Sequence, residues 1–370
     1  MDPLTQAAET RALLALASSE GVGPVGVRRL LEHFGSAHAA LAASRTELEA
    51  VPRLARRRLE AVHGLEPAAE ADIAALASRG IRLAACGCDG YPERLTHLYD
   101  PPPVLFLRGP GELPVRASAA IVGTRRATEY GRRMARDIAA GLAEAGWAIV
   151  SGLAVGIDSA AHRAALDAGG RTVAVLGCGL DRVYPARNRS LYAEMTARGL
   201  LASEFPPHAE PNRGHFPRRN RIIAALAEAV IVVQAPRRSG ALITVGHAND
   251  LGRAVFGVPG PVGPPASEGV HALLRDGASF ATSAADVIEA MPPWTAPLDP
   301  PAGRDRGCGN GPRGALRETF LTGLEHRVRT VEALARDAGC GVGAALAELG
   351  RLEVEGTIRA LPGGRFERVR

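Results

Sequence analysis

Over the first 75 residues, apolar side chains recur at every third and fourth position: Leu13, Leu14 and Leu16, then Val27, Leu30, Leu31 and Phe34. That period predicts amphipathic helices and a small helical domain over 1–75. From about 80 to 291 the pattern changes to short β-branched runs alternating with helical stretches, which predicts a parallel α/β sheet. Strands are expected at 119–122, 148–150, 172–176, 200–203, 229–233 and 254–258. These runs are apolar at consecutive positions, as befits strands covered by helices on both faces. The expected class is therefore a doubly wound, Rossmann-like sheet, with its ligand at the carboxyl ends of the strands.

Residues 292–314 carry Pro292-Pro293, Pro300-Pro301 and Gly311-Pro312 and read as a linker. The tail, 315–370, returns to helical spacing at Val331, Leu334 and Ala335, and again at Leu346, Leu349 and Leu352. Two short extended runs, 357–360 and 365–369, flank Leu361-Pro362-Gly363-Gly364 and predict a hairpin. Helices followed by a hairpin suggest a winged-helix-like domain. Near the amino terminus, Gly21-Val22-Gly23-Pro24-Val25-Gly26 forms a glycine-bearing turn between helices. It resembles a helix-hairpin-helix, whose turn amides can hold a duplex phosphate, and it reads equally as glycines that let two helices cross closely.

A length of 370 residues exceeds what one hydrophobic core usually serves, so two or three domains are expected, and 46% apolar with 22% charged residues is ordinary for a folded chain. The basic count of 44 against 39 acidic residues gives a formal charge of +5, a mild bias toward polyanions. The sequence contains no lysine, so arginine or a protonated histidine must supply every side-chain cation for a phosphate. Arginine's fork suits bidentate phosphate contacts, although a GC-rich genome would produce the same bias. Cys86, Cys88, Cys178, Cys308 and Cys340 form no C-x-x-C pair and no Cys/His set with zinc spacing, which argues against a metal or disulfide framework. The chain opens acidic and has no apolar run near the ~20 residues of a membrane helix, so a cytoplasmic location is the expectation.

Chemistry is expected where strands end. The first predicted core strand runs into Gly123-Thr124-Arg125-Arg126, the second into Ser151-Gly152-Leu153-Ala154-Val155-Gly156-Ile157-Asp158, and the third into Gly177-Cys178-Gly179. Glycine lets backbone amides approach an anion, and the following helix points its positive end at the same spot. Three such loops at one sheet edge predict a phosphate-sized pocket, with Thr124, Arg125 and Ser151 adding donors. A dinucleotide fits poorly, because Gly177-Cys178-Gly179 continues into Leu180-Asp181-Arg182, with arginine where the third glycine of the fingerprint belongs. ATP fits no better, since the loop at 152–156 lacks the Walker lysine. Downstream, 211–221 packs Arg213, Arg218, Arg219 and Arg221 around Phe216 and Asn220, the pairing of cation and ring that single strands require. A solvated loop with Phe216 in the core would share that composition. Ser239 and Gly240 either cap the next helix or face the same pocket.

Together, Gly123-Thr124-Arg125, Ser151-Gly152-Leu153-Ala154-x-Gly156-Ile157-Asp158 with Ala161-His162, and Gly177-x-Gly179 with Tyr184-Pro185 and Asn188 resemble the DNA-processing protein A (DprA/Smf) family. Phe216-Pro217-x-Arg219-Asn220-Arg221-Ile222-Ile223, Ser239-Gly240-x-Leu242-x-Thr244 and Pro259-Gly260 extend the likeness over about 80–290. The resemblance implies a homodimer that binds single-stranded DNA, protects incoming strands during natural transformation and loads the recombinase RecA, without catalysis or cofactor. It implies that Arg125 is the main phosphate arginine, that Arg213 and Phe216 hold further nucleotides, and that Arg171 occupies another basic position. Gln234 stands where many relatives have an acid, and Val245-Gly246-His247 departs from the usual continuation of the serine-glycine motif.

Two other readings compete. Phosphoribohydrolases share a similar sheet, but their P-G-G-x-G-T-x-x-E would place a glutamate where His247 stands. Asp158 and His162, four apart on one helix, could form an acid/base pair, or Asp158 could simply stabilise its helix N-terminus. A winged-helix transcription factor would account for the tail and leave the central pocket unexplained. The segment 270–274 is a candidate dimer surface, and equally a helix covering its own sheet.

Overall fold

The computed structural model describes residues 2–19, 21–292, 313–324, 328–338, 342–354, 356–361 and 365–368. The linker stretch 293–312, the hairpin turn 362–364, Cys308 and Cys340 lie outside the described residues. The chain divides into two compact units, Met1–Pro301 and Ala302–Arg370.

The first unit opens with α1 (Pro3–Ser18), α2 (Gly23–Phe34), α3 (Ala37–Ala42), α4 (Arg45–Glu49), α5 (Arg56–Val62) and α6 (Glu70–Ser78). Asp2 starts α1 by accepting the amides of Leu4 and Thr5, each at 3.1 Å, while Pro3 occupies the first turn, where a missing N–H costs nothing. Leu13, Leu16, Val27 and Leu30 form the helical core. That core also takes in Ala85 and Val104 from two adjoining strands, so helices and sheet form one packed body.

The sheet comprises β1 (Ile81–Ala85), β2 (Val104–Arg108), β3 (Ser118–Val122), β4 (Ala148–Ser151), β5 (Thr172–Val175), β6 (Leu200–Ser203), β7 (Ala229–Val232), β8 (Ala254–Gly257) and β9 (Ser279–Phe280). Its order is β1-β2-β6-β5-β4-β3-β7-β8-β9. The β1–β2 and β2–β6 pairs are antiparallel and the remaining pairs parallel. The helices between strands are α7 (Glu129–Glu144), α8 (Ile157–Asp167), α9 (Arg189–Arg198), α10 (His215–Leu226), α11 (Ala241–Asp250), α12 (Pro265–Arg275) and α13 (Ala284–Ala290). Alternate strand residues face opposite cores: Ala120, Val122, Val230 and Val232 pack with α10, α11 and α12, whereas Ala119, Ile121, Ala229 and Ile231 pack with α7, α8 and α13. Burial on both faces is what the unbroken apolar runs required.

From β3 the chain winds through β4 and β5 to β6 on one side, then returns across to β7 on the other side of β3. The β3–β7 boundary is thus the topological switch point, where doubly wound sheets open a crevice. Of the 270–274 segment, Val270 is buried against the sheet and Leu273 and Leu274 pack on the same core, which favours the covering-helix reading.

In the second unit, α14 (Arg313–Gly323), α15 (Val331–Asp337) and α16 (Val342–Val354) accompany β10 (Arg329–Thr330), β11 (Ile358–Leu361) and β12 (Arg365–Arg368). The strands pair antiparallel in the order β10-β12-β11 over a core that includes Phe320, Leu334, Leu349, Leu352 and Phe366. This is a winged-helix arrangement, with β10 a third strand beyond the expected hairpin.

Candidate nucleic-acid interface

At the switch point a cavity of about 690 Å³ opens on the carboxyl edge of the sheet. The loop after β3 forms one wall. A Cβ on Gly123 would lie 2.6 Å from Ile157 and 2.8 Å from the Gln234 carbonyl oxygen, so glycine is required by close packing. The Thr124 amide donates to that same carbonyl at 2.7 Å, tying the β3 and β7 loops together. Gln234 also accepts the Thr128 amide through Oε1 at 3.0 Å, which ties the start of α7 to the β7 loop. Thr124 Oγ1 accepts the Arg126 amide at 3.2 Å, and the turn leaves Arg125 and Arg126 exposed.

The opposite wall is the first turn of α10. His215 stacks on Phe205 with ring centroids 4.0 Å apart, while Arg218 and Arg221 both donate to the buried Glu204 carboxylate at 2.7 Å. These contacts hold Phe216 half-buried at the cavity, with its ring centroid 5.4 Å from the Arg125 guanidinium and 5.3 Å from the Tyr184 ring. Ser239 and Gly240 close the third side, where Ser239 Oγ accepts the Ala241 amide at 3.3 Å and Asn220 Nδ2 donates to the Gly240 carbonyl at 3.1 Å.

Gly123, Thr124, Arg125, Arg213, Phe216, Arg219, Asn220, Ser239 and Gly240 therefore line one cavity. The expectation of three glycine loops cradling a single phosphate needs correction. In the second loop the Ala154 amide is already occupied at 3.2 Å by Asp158, whose carboxyl burial pushes up in pKa against the pull of Arg219. Gly152 makes room for Arg219: a Cβ there would lie 2.4 Å from that guanidinium. Arg219 in turn donates to the Gly152 carbonyl at 2.8 Å and to that of Val175, and burial lowers its pKa to about 10, leaving it protonated at neutral pH. The third loop is roofed by Phe216, since a Cβ on Gly177 would meet that ring at 2.7 Å. Gly179 packs against the Pro206 and Pro207 carbonyls, and Gly156, at φ +94°, against the Thr124 carbonyl.

Other expected donors are spent or displaced. Ser151 is fully buried and donates to the Ile121 carbonyl at 2.6 Å. Arg221 is buried against Glu204 and Asp100. Arg171 precedes β5, at the amino edge of the sheet, and donates to the Gly146 carbonyl at 3.0 Å. Conversely, Arg126, Tyr184, Ile243 and Thr244 line the cavity without having been singled out as site residues. Tyr184 beside Pro185, and a second arginine after Arg125, were the available signals. Arg125, Arg126, Arg213, Arg237 and Arg238 are exposed and have no carboxylate partner among the described residues.

The acid/base pair does not form at the cavity. His162 is fully buried, its Nδ1 2.7 Å from Thr172 Oγ1, and Thr172 donates its own proton to the Ile149 carbonyl at 2.9 Å. Nδ1 is thus the protonated nitrogen and Nε2 is left without a partner. Burial drives its pKa down to about 3 from an ordinary 6.5. Because the folded state resists protonation, His162 contributes stability above pH 6.5 that is lost as pH falls toward 3. Thermal unfolding of His162→Gln should accordingly show a shallower loss of Tm between pH 6.5 and 4 than the parent. Identical slopes would contradict the buried neutral imidazole. His247 sits half-buried on α11, outside the cavity lining, and burial lowers its pKa. Among the described residues no group of three His, Cys, Asp or Glu is placed to hold a metal, and no helix is long and apolar enough to cross a membrane.

The family model of DNA recombination-mediator protein A matches residues 82–292, the model of the DprA-like N-terminal HHH domain matches 7–75, and that of the DprA winged helix domain matches 310–364. The protein Smf of Synechocystis sp. is 38% identical over 289 residues, covering 75% of this chain and 71% of that protein. The crystal structure of DNA processing protein A from Streptococcus pneumoniae superposes with a TM-score of 0.66 at 34% identity, covering 75% of this chain and 97% of that one. The Helicobacter pylori DNA processing protein A, whose structure is described as revealing a single-stranded DNA binding mode, superposes at 0.51 with 31% identity, over 56% of this chain and 94% of its own. With a family model spanning more than half of its length, and that family's flanking domains matched at both ends, this chain belongs to the DNA recombination-mediator protein A (DprA/Smf) family.

Proposed function

We propose that the switch-point cavity binds single-stranded DNA, with Arg125 as the principal phosphate contact, Arg213 as a second, and Phe216 as a seat for a base. The observation that carries this reading is the placement of an unpaired, exposed guanidinium 5.4 Å from a half-buried ring at the mouth of a 690 Å³ cavity. Backbone charge and an aromatic face are the two features a strand offers whatever its sequence. Gly123, Thr124, Asn220, Ser239 and Gly240 line the phosphate side, whereas Arg219 on the floor is already engaged by the Gly152 and Val175 carbonyls. The chain acts as a recombination mediator in the cytoplasm: a homodimer that shields incoming strands during natural transformation and loads RecA, with no catalytic step. Two cavities per dimer would raise avidity for long strands over short ones.

The test is fluorescence anisotropy of a labelled single strand across a salt series. Log affinity should fall linearly with log salt, by about 0.7 per phosphate engaged. Phe216→Ala should weaken binding by about 1 to 3 kcal/mol without changing that slope, since stacking carries no counterion release. Binding that ignores salt would sink the phosphate reading. A changed slope in Phe216→Ala would sink the division of labour.

A further inference from the structure

We propose that the strand path continues from Phe216 onto residues 184–189, where Tyr184 seats the neighbouring unpaired base and Arg187 and Arg189 meet the phosphates that follow. This extension rests on the single-strand reading above. Tyr184 is 40% exposed, borders the cavity, and belongs to none of the buried apolar clusters. Its ring is tilted 37° to that of Phe216, so the two rings do not cover each other face to face, and Tyr184 keeps a face free for stacking. The gap beneath them, bordered by Gly152 and Arg219, holds only about 50 Å³, room for a water or two. A base must therefore lie on the rings and cannot insert between them and the floor, which leaves its edges unread and the site indifferent to sequence.

The platform is also held in place. Asn188 is buried and donates to the Leu153 carbonyl at 2.8 Å and to Ser159 Oγ at 2.9 Å, pinning the turn Ala186–Asn188 to the loop after β4 and to the first turn of α8. On either side of that anchor, Arg187 and Arg189 are exposed and have no carboxylate partner among the described residues. A pinned turn flanked by one open ring and two exposed guanidiniums offers the same residue types as Arg125 and Phe216. Ordering it on binding costs little, because it is already ordered.

The experiment compares a labelled 20-nucleotide oligothymidylate with a strand of equal length built from abasic residues, using the full chain. Tyr184→Ala should weaken thymidylate binding about fivefold or more while moving abasic binding less than about twofold, and Tyr184→Phe should restore the parent affinity. The Arg187→Ala/Arg189→Ala variant should weaken both strands and lower the salt slope by about 1.4. If Tyr184→Ala changed neither strand, or weakened both equally, the ring would have no base to hold and the proposal would fall. If Arg125→Ala weakens binding while Tyr184→Ala does not, only the extension is lost. If the parent binds neither strand, the extension and the reading beneath it fail together.

Discussion

Replacing Arg125 with alanine should weaken single-strand binding by about ten- to a hundredfold at low salt, the effect of losing one charge-assisted phosphate contact, and should lower the salt slope by about 0.7. The side chain is exposed and touches the fold chiefly through the Phe216 ring, so thermal stability should stay close to that of the parent. Arg171→Ala is the matched control. It removes a guanidinium from the opposite edge of the same sheet, and it should leave affinity nearly unchanged. Anisotropy on the two variants separates a local contact from general charge attraction: equal losses would mean that net charge, and not the cavity, holds the strand.

The largest expected effect on stability comes from Glu204. Its carboxylate is 1% exposed and pairs with Arg221, itself 4% exposed, and with the more open Arg218. Glu204→Ala leaves the Arg221 guanidinium buried with only Asp100 beside it, which should cost about 3 to 5 kcal/mol. The melting temperature should drop by several degrees in calorimetry. Because Arg218 and Arg221 follow Phe216 on α10 and tie that helix to Glu204, strand affinity should weaken as well. Replacing both partners, as in Glu204→Leu/Arg221→Met, should recover much of the stability, since no charge is then stranded. A single variant as stable as the parent would show that the pair does not clamp α10.

The parallel strands from β3 to β8 were legible in the sequence because burial on both faces demands unbroken apolar runs, and β3, β4 and β5 run into glycine where the chain must turn sharply. The β1–β2 hairpin was not. It mixes Arg82 and Arg108 into short apolar runs, and its antiparallel edge pairing imposes no such pattern. At the site, a glycine loop advertises close approach but not what approaches it. The group filling the second loop is Asp158 from the following helix, and the group over the third is Phe216, which arrives from α10. The same holds for the arginines of 213–221, alike on paper. The phase of α10 turns Arg219 and Arg221 toward buried partners while Arg213 stays in solvent.

The burial of Arg219 under the cavity has a kinetic consequence. With its N–H groups turned to the Gly152 and Val175 carbonyls, Arg219 is spent inside the fold, and the attraction felt by a strand comes from guanidiniums at the rim, where water and ions retain access to every contact. Such contacts can be surrendered one at a time, so a competing strand should peel a bound one away progressively, without waiting for the whole segment to detach. Release should therefore quicken as free competitor is added.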